Sequence, residues 1–181
     1  GYGDDELKEA FLCGKSERTG GYFDYFRGRL IFPIIDNFSN VIAFGGRALG
    51  DGKPKYLNTS DTPVFKKSRN LFALNFAKNA CAESLILCEG YMDVIAVNMA
   101  GFPNAVATLG TALTTEQARI MAKYTKKVIL SYDSDDAGVS AAKRAIPILT
   151  DAGLEVKMLR MEGAKDPDEY IKKFGAARFK T

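Results

Sequence analysis

From Ser84 onward the sequence alternates short apolar runs with helix-length segments four times, and that rhythm leaves few folds open. Leu85-Ile-Leu-Cys88, Ala105-Val-Ala-Thr108, Val128-Ile-Leu-Ser-Tyr132 and Val156-Lys-Met-Leu159 read as strands. Met92–Ala100, Ala137–Leu149 and Glu169–Phe174 read as helices, as does a segment opened by the capping box Thr114-Thr-Glu-Gln117. The pattern predicts an α/β domain, a Rossmann-like parallel sheet with helices on both faces. Pro147 is the discordant residue, because an interior proline removes a hydrogen bond and kinks its helix.

Ahead of this lies a part of different character. A helix is expected over Asp5–Phe11, then a polar, glycine-rich link. Leu30–Ile35 and Val41–Phe44, joined by Asp36-Asn-Phe-Ser-Asn40, predict a β-hairpin. Gly50–Ser68 is rich in turn formers and reads as irregular, and Asn70 is placed to cap a helix through Leu71, Leu74 and Ala77. Charge divides the same way. Residues 25–70 hold eight cations (Arg27, Arg29, Arg47, Lys53, Lys55, Lys66, Lys67, Arg69) against three acids (Asp36, Asp51, Asp61), whereas later cations and acids balance. The expected organisation is a small basic mixed α/β subdomain over 1–80 and the parallel α/β domain over 81–181, a polyanion surface beside a cation site.

What is missing narrows the chemistry. The chain has no histidine, which excludes Ser-His and Cys-His nucleophile systems and the commonest general base. Cys13, Cys81 and Cys88 form no C-x-x-C pair, so no zinc site is expected within these residues. No apolar run approaches the roughly 18 residues a membrane span needs. The acidic start GYGDDELKEAFL lacks a signal peptide's layout, and the cytoplasm is the expected compartment.

The acids fall where an open parallel sheet binds its ligands, at the carboxyl ends of the strands. Glu89 follows the first strand in Cys88-Glu-Gly-Tyr-Met-Asp93. Asp133 and Asp135 follow the third, and Asp166 and Asp168 follow the fourth in Lys165-Asp-Pro-Asp-Glu169. Any single aspartate there could be only the N-cap of the next helix. Three acidic strand ends together point instead to mutual repulsion relieved by a hard divalent cation. Oxygen ligands without histidine or cysteine select Mg²⁺ or Mn²⁺. Such ions serve phosphoryl or nucleotidyl transfer, one activating a hydroxyl while another steadies the leaving pyrophosphate. Gly45-Gly-Arg-Ala-Leu-Gly-Asp-Gly-Lys53 lacks Walker A spacing, so phosphates would rely on metals and basic residues. In the basic part, Arg27 and Arg29 would share one face of an extended segment. Lys55-Tyr-Leu-Asn-Thr-Ser-Asp-Thr-Pro-Val-Phe-Lys-Lys67 mixes cations, amides and aromatics as a single-strand binder does, with a plain solvated face as the alternative.

Glu-Gly-Tyr-Met-Asp-Val (89–94), Tyr-Asp-Ser-Asp-Asp-Ala-Gly (132–138) and Lys-Asp-Pro-Asp-Glu (165–169) resemble the TOPRIM signatures of bacterial DnaG-type primases. Phe26-Arg-Gly-Arg-Leu-Ile-Phe-Pro-Ile, Ala43-Phe-Gly-Gly-Arg47 and Lys55-Tyr-Leu-Asn-Thr-Ser-Asp-Thr are similar to that family too. TOPRIM acids are shared with topoisomerases, nucleases and recombination mediators, which remain the alternatives. The resemblance implies a TOPRIM fold and a DNA-directed RNA polymerase making primers from ribonucleoside triphosphates on single-stranded DNA. By matching motif positions it implies that Glu89, Asp133 and Asp135 hold magnesium, supported by Asp93, Asp166 and Asp168. It assigns Arg27, Arg29, Arg47, Lys55, Asn58 and Lys67 to template, primer or nucleotide. Ser134 stands where the family usually has glycine. The family's N-terminal zinc module and its C-terminal helicase-binding part have no counterpart in these residues.

Overall fold

The computed structural model describes residues 1–180, which divide into two compact units, Gly1–Lys67 and the residues from Ser68 onward. In the first unit, helix α1 (Asp4–Glu9) puts Asp4, Asp5 and Glu6 in its first turn, where acids meet the positive end of the helix dipole. Glu6 also accepts a 2.7 Å hydrogen bond from the Gly3 amide. A two-stranded antiparallel ribbon follows, β1 (Cys13–Lys15) with β2 (Tyr22–Asp24). The main feature is an antiparallel sheet ordered β3-β4-β5, from β3 (Arg29–Ile35), β4 (Val41–Ala48) and β5 (Tyr56–Asn58). The predicted hairpin is β3–β4. Its turn is closed by Asp36, whose Oδ1 accepts from the Phe38 and Asn40 amides at 2.8 and 2.9 Å. Strand β5 lies inside the stretch expected to be irregular: three residues are too few to show periodicity, and pairing with β4 fixes them.

In the second unit the parallel sheet is ordered β7-β6-β8-β9, from β6 (Leu85–Cys88), β7 (Ala105–Ala107), β8 (Lys127–Ser131) and β9 (Glu155–Met158). Central β6 is buried along its whole length, the mark of a strand covered on both faces. Its alternate residues feed two cores. Leu85 and Leu87 pack with Ala118 and Met121 of α4 (Thr115–Met121) and with Ala142, Ala145 and Leu149 of α5 (Asp136–Asp151). Ile86 and Cys88 pack with Val94 and Val97 of α3 (Tyr91–Met99), against Tyr170 and Ile171 of α6 (Pro167–Phe174) and Phe179 of the short α7 (Ala176–Phe179). The expected parallel sheet with helices on both faces is the fold found. Pro147 does sit inside α5. Both it and Lys143, whose carbonyl loses its donor, are exposed, so the freed group lies on the solvent side of the helix.

The expected helix from Asn70 is shorter than its sequence suggests. Helix α2 is only Leu74–Ala77, entered through Ala73 in a left-handed conformation with φ 64°. Leu71 and Phe72 run extended, and Phe72 makes an antiparallel bridge to Ala107 that covers the β7 edge. Asn70 is no cap; its carbonyl accepts from Gln117 Nε2 at 2.8 Å. Leu71, Leu74 and Ala77 belong to the core of the second unit, so the chain changes allegiance at Ser68 rather than near residue 80.

Gln117 anchors this segment. Fully buried, it also accepts from the Thr114 amide (3.1 Å), and its own amide donates to the Thr114 hydroxyl (3.1 Å), while that hydroxyl donates to the Ser68 carbonyl (2.7 Å). Gln117→Leu leaves a carbonyl and an amide without partners, and we expect it to cost about 2–4 kcal/mol of unfolding free energy. Urea denaturation checks this; a loss under about 0.5 kcal/mol would mean that water replaces the side chain.

Candidate active site

The carboxyl ends of β6 and β8 are bound together by the acids themselves. Glu89, the residue after β6, accepts a 3.0 Å hydrogen bond from the Asp133 amide through Oε1. Asp135 is the N-cap of α5, and its Oδ1 accepts from the Gly138 amide at 2.9 Å. Gly138 permits this closeness: a Cβ there would overlap the Asp133 carbonyl oxygen and come 2.9 Å from Glu89 Oε1. The loop after β8 is tethered to the one before α6 by Ser134, which donates through its amide to the Lys165 carbonyl (2.8 Å) and through its hydroxyl to the Ala164 carbonyl (3.1 Å). The serine in place of the family's usual glycine thus adds a hydrogen bond. Asp166 caps α6 by accepting from the Glu169 amide at 2.8 Å. Asp93, in the first turn of α3, accepts from the Gly90 amide at 3.2 Å. The bland role and the chemical one coincide here, since the same aspartates cap helices and gather charge.

The electrostatics show the crowding. Burial raises the Glu89 carboxyl above its ordinary range, with repulsion from Asp133 and Asp135 adding to it and the Asp133 amide opposing. Asp133 is raised by burial too, against the pull of Lys165. Asp93 is pushed up to about 7, by burial first and then by Asp166, Asp133 and Glu89, against the Gly90 amide. Asp135, exposed at the edge, is held low by the Gly138 amide and then by Lys165. Asp168 is placed differently: its carboxylate pairs with Lys172 Nζ at 2.6 Å on α6.

One cation answers this charge. Lys165 Nζ stands 3.8 Å from Asp133 Oδ2 and 3.6 Å from Asp135 Oδ2. Among the described residues no three acid side chains lie in a chelating cluster, as each is drawn to an amide or to this ammonium. The donor chemistry nevertheless fits a hard divalent cation: oxygens only, with the thiol of Cys88 buried and driven well up in pKa, so that it stays protonated. Two cavities of ligand size flank the acids. One of about 390 Å³ is lined by Glu89, Thr108, Tyr132, Arg144 and Ile148; another of about 550 Å³ is lined by Asp133, Gly138, Met158 and Met161. Neither Lys165 nor Arg144 has a role that the sequence alone assigns. A lone lysine beside an acidic motif was the available signal for the first; nothing local marked the second.

In the first unit the basic residues take different places. Arg47 stands opposite both Leu30 and Tyr56, so these three side chains form one row across the sheet, with Asn58 two residues on along the same face. The guanidinium of Arg47 and the ammonium of Lys55 each lie 6.0 Å from the ring centre of Tyr56, which is partly exposed. Arg27 lies exposed in the turn before β3, so it does not share an extended face with Arg29. Arg29 works inside the sheet, donating to the carbonyls of Pro54 (2.8 Å) and Gly46 (3.4 Å). Gly46 makes room for it, since a Cβ there would come 3.0 Å from Arg29 Cδ. Lys67 donates its amide to Asp61 at 3.0 Å, next to a Lys66–Asp61 ion pair. Among the described residues no helix is long and apolar enough to cross a membrane.

A four-stranded parallel sheet with acids after β6 and β8 and before α6 defines a TOPRIM-type domain, and residues 86–171 match the Toprim-like family model. Residues 1–78 match the model of the DNA primase catalytic core, N-terminal domain. The chain belongs to the DnaG-type DNA primases, in which it corresponds to part of the catalytic core. The match over residues 1–78 separates it from topoisomerases, nucleases and recombination mediators. It is 47% identical over 180 residues to the DNA primase of Clostridium acetobutylicum, covering 99% of this chain and 30% of that protein. It is similar to the crystal structure of the Aquifex aeolicus primase zinc-binding and RNA polymerase domains, with TM-score 0.90 and 44% identity over 97% of this chain and 44% of that one. A DnaG primase catalytic domain bound to ssDNA superposes with TM-score 0.89 and 36% identity over 97% of this chain and 56% of that one. The chain spans about a third of the length of the curated relatives it matches.

Asp93 gives the site a stability signature. Its folded pKa, about 7, lies above the unfolded value near 3.8, so the folded state holds a proton that the unfolded state has lost between these limits. Stability therefore falls as pH rises from about 4 to about 7 in the divalent-free protein. Asp93→Asn keeps an acceptor for Gly90 and removes the charge, and should raise the melting temperature at pH 8 by at least about 2 °C and at pH 4 hardly at all. Equal shifts at both pH values would remove the charge explanation.

Proposed function

We propose that this chain carries the catalytic chemistry of primer synthesis: the DNA-templated joining of ribonucleoside triphosphates into short RNA primers on single-stranded DNA. The observation that carries this reading is the gathering of Glu89, Asp133 and Asp135, with Asp93 and Asp166 behind them, at the carboxyl end of a parallel sheet. In this reading Glu89, Asp133 and Asp135 hold Mg²⁺ or Mn²⁺, and Asp93 and Asp166 shape the charge behind them. Asp168, paired with Lys172, supports the site through α6. Ions held there would supply the positive charge that activates a 3′-hydroxyl and offsets a departing pyrophosphate. The Asp133 amide fixes the rotamer of Glu89, and Gly138 keeps that carboxylate against the first turn of α5. Asp135 is aimed by its capping bond.

The first unit supplies the nucleic-acid surface. Arg47 and Lys55 meet phosphates, Tyr56 offers a ring to a base, and Asn58 extends the same face. Arg27 and Lys67 add positive charge, while Arg29 holds the sheet that presents the others. The basic N-terminal unit and the TOPRIM unit that follows it are the two working parts. In the intact protein, which we place in the cytoplasm at the replication fork, a zinc-binding module and a helicase-binding module flank them.

Two measurements test this. Glu89→Gln or Asp133→Asn in the intact parent protein should lower primer synthesis at least about a hundredfold with the fold retained, since each removes a charged ligand. Primer yield within twofold of the parent at limiting magnesium would refute the ligand assignment. For the basic face, Arg47→Ala and Lys55→Ala should each weaken single-stranded DNA binding and lower the log–log salt slope by about 0.7 for each phosphate left unneutralised. Unchanged affinity and slope in both would leave a solvated basic face.

A further inference from the structure

Lys165 is fixed by its backbone and exposed along its side chain. Its carbonyl accepts from the Ser134 amide (2.8 Å) and its own amide donates to Glu169 Oε2 (2.8 Å), so the residue is clamped between the loop after β8 and the first turn of α6. The side chain is 59% exposed, and its ammonium reaches back to Asp133 and Asp135 at 3.8 and 3.6 Å. Among the described residues, of the ion pairs in this unit it alone joins two of the acids assigned to the metal.

We propose that Lys165 is a built-in counter-cation of the acidic site, which compensates Asp133 and Asp135 in the metal-free protein and surrenders them to a divalent ion, so that it sets the affinity for that ion. The inference rests on the reading of Glu89, Asp133 and Asp135 as metal ligands. One ammonium offsets one of two carboxylate charges, and a divalent ion offsets both, so exchange is favourable once the ion is present. The exchange requires only rotation of an exposed side chain, because the main-chain clamp is independent of the ammonium. Lysine suits this role: its flexible stem carries a strongly hydrated point charge that returns to water readily. By reciprocity, whatever Lys165 contributes to holding the metal-free site together opposes metal binding by the same factor.

Calorimetric titration of Mn²⁺ into the chelator-treated 181-residue chain tests the proposal, with Lys165→Met, Lys165→Gln, Lys165→Arg, Lys157→Met and Asp133→Asn in parallel. Lys157, paired with Glu155 on β9, controls for loss of one positive charge elsewhere. Lys165→Met and Lys165→Gln should bind Mn²⁺ about three- to tenfold more tightly than the parent in low salt, and the gain should shrink at about 0.5 M sodium chloride. Lys165→Arg should stay within about twofold of the parent, since it keeps the charge. Without metal, Lys165→Met should melt below the parent, and its Mn²⁺-induced rise should be the larger of the two. Unchanged affinity in both neutral variants, or equal tightening in Lys157→Met, overturns the proposal. If Asp133→Asn loses Mn²⁺ while the neutral Lys165 variants match the parent, the counter-cation alone is wrong and the metal reading stands. If Asp133→Asn binds Mn²⁺ like the parent, the metal reading falls and takes the proposal with it.

Discussion

Carboxylates crowded at one end of a sheet repel one another, and the second unit is arranged around that repulsion. Helices α3, α5 and α6 all begin with an acid in the cap or first turn, so the positive ends of their dipoles face the negative charge. Individual amides then take individual oxygens: Asp133 to Glu89, Gly138 to Asp135, Gly90 to Asp93, Glu169 to Asp166. Burial first, and then the repulsion that these partial charges leave uncompensated, raises the carboxyls of Glu89, Asp93 and Asp133. The parallel sheet makes the arrangement possible, because it brings strand ends and helix starts to the same edge.

The first unit solves a different problem, that of presenting positive charge without losing order. A three-stranded antiparallel sheet has one face to spare, and its exposed row places Arg47 against the Tyr56 ring. A guanidinium beside an aromatic face is restrained, so a ligand need not order it at full entropic cost. Arg29 shows that a cation in a basic stretch can serve the fold: its Nη1 ties β4 to the loop before β5 by donating to two carbonyls.

The second unit was largely legible in the sequence, because hydrophobic periodicity and the Thr114 capping box report on local structure that packing does not override. The acids were legible as a set, since their places after strands follow from topology. Less visible was anything decided by pairing across distance. Strand β5 has three residues and exists through β4; Leu71 and Phe72 look helical but are pulled straight by the β7 edge. Asn70 resembles an N-cap, yet its carbonyl is claimed by Gln117, 47 residues on. Asp168 stands in an acidic motif, but at i,i+4 from Lys172 it finds a nearer partner. The pairing of Arg27 with Arg29 failed because a turn ends at Gly28, with φ 66°, and only the second arginine enters the strand.

Gly138 ties the chemistry of the edge to the fraying of a helix. The amide that starts α5 is bonded to Asp135, and the absent side chain lets the Asp133 backbone and Glu89 close against that first turn. Opening the first turn of α5 therefore disperses the acids, and dispersing the acids removes the cap. The two events are therefore coupled as one local unfolding unit, and the amide protons of Asp133 and Gly138 are expected to exchange together with its opening.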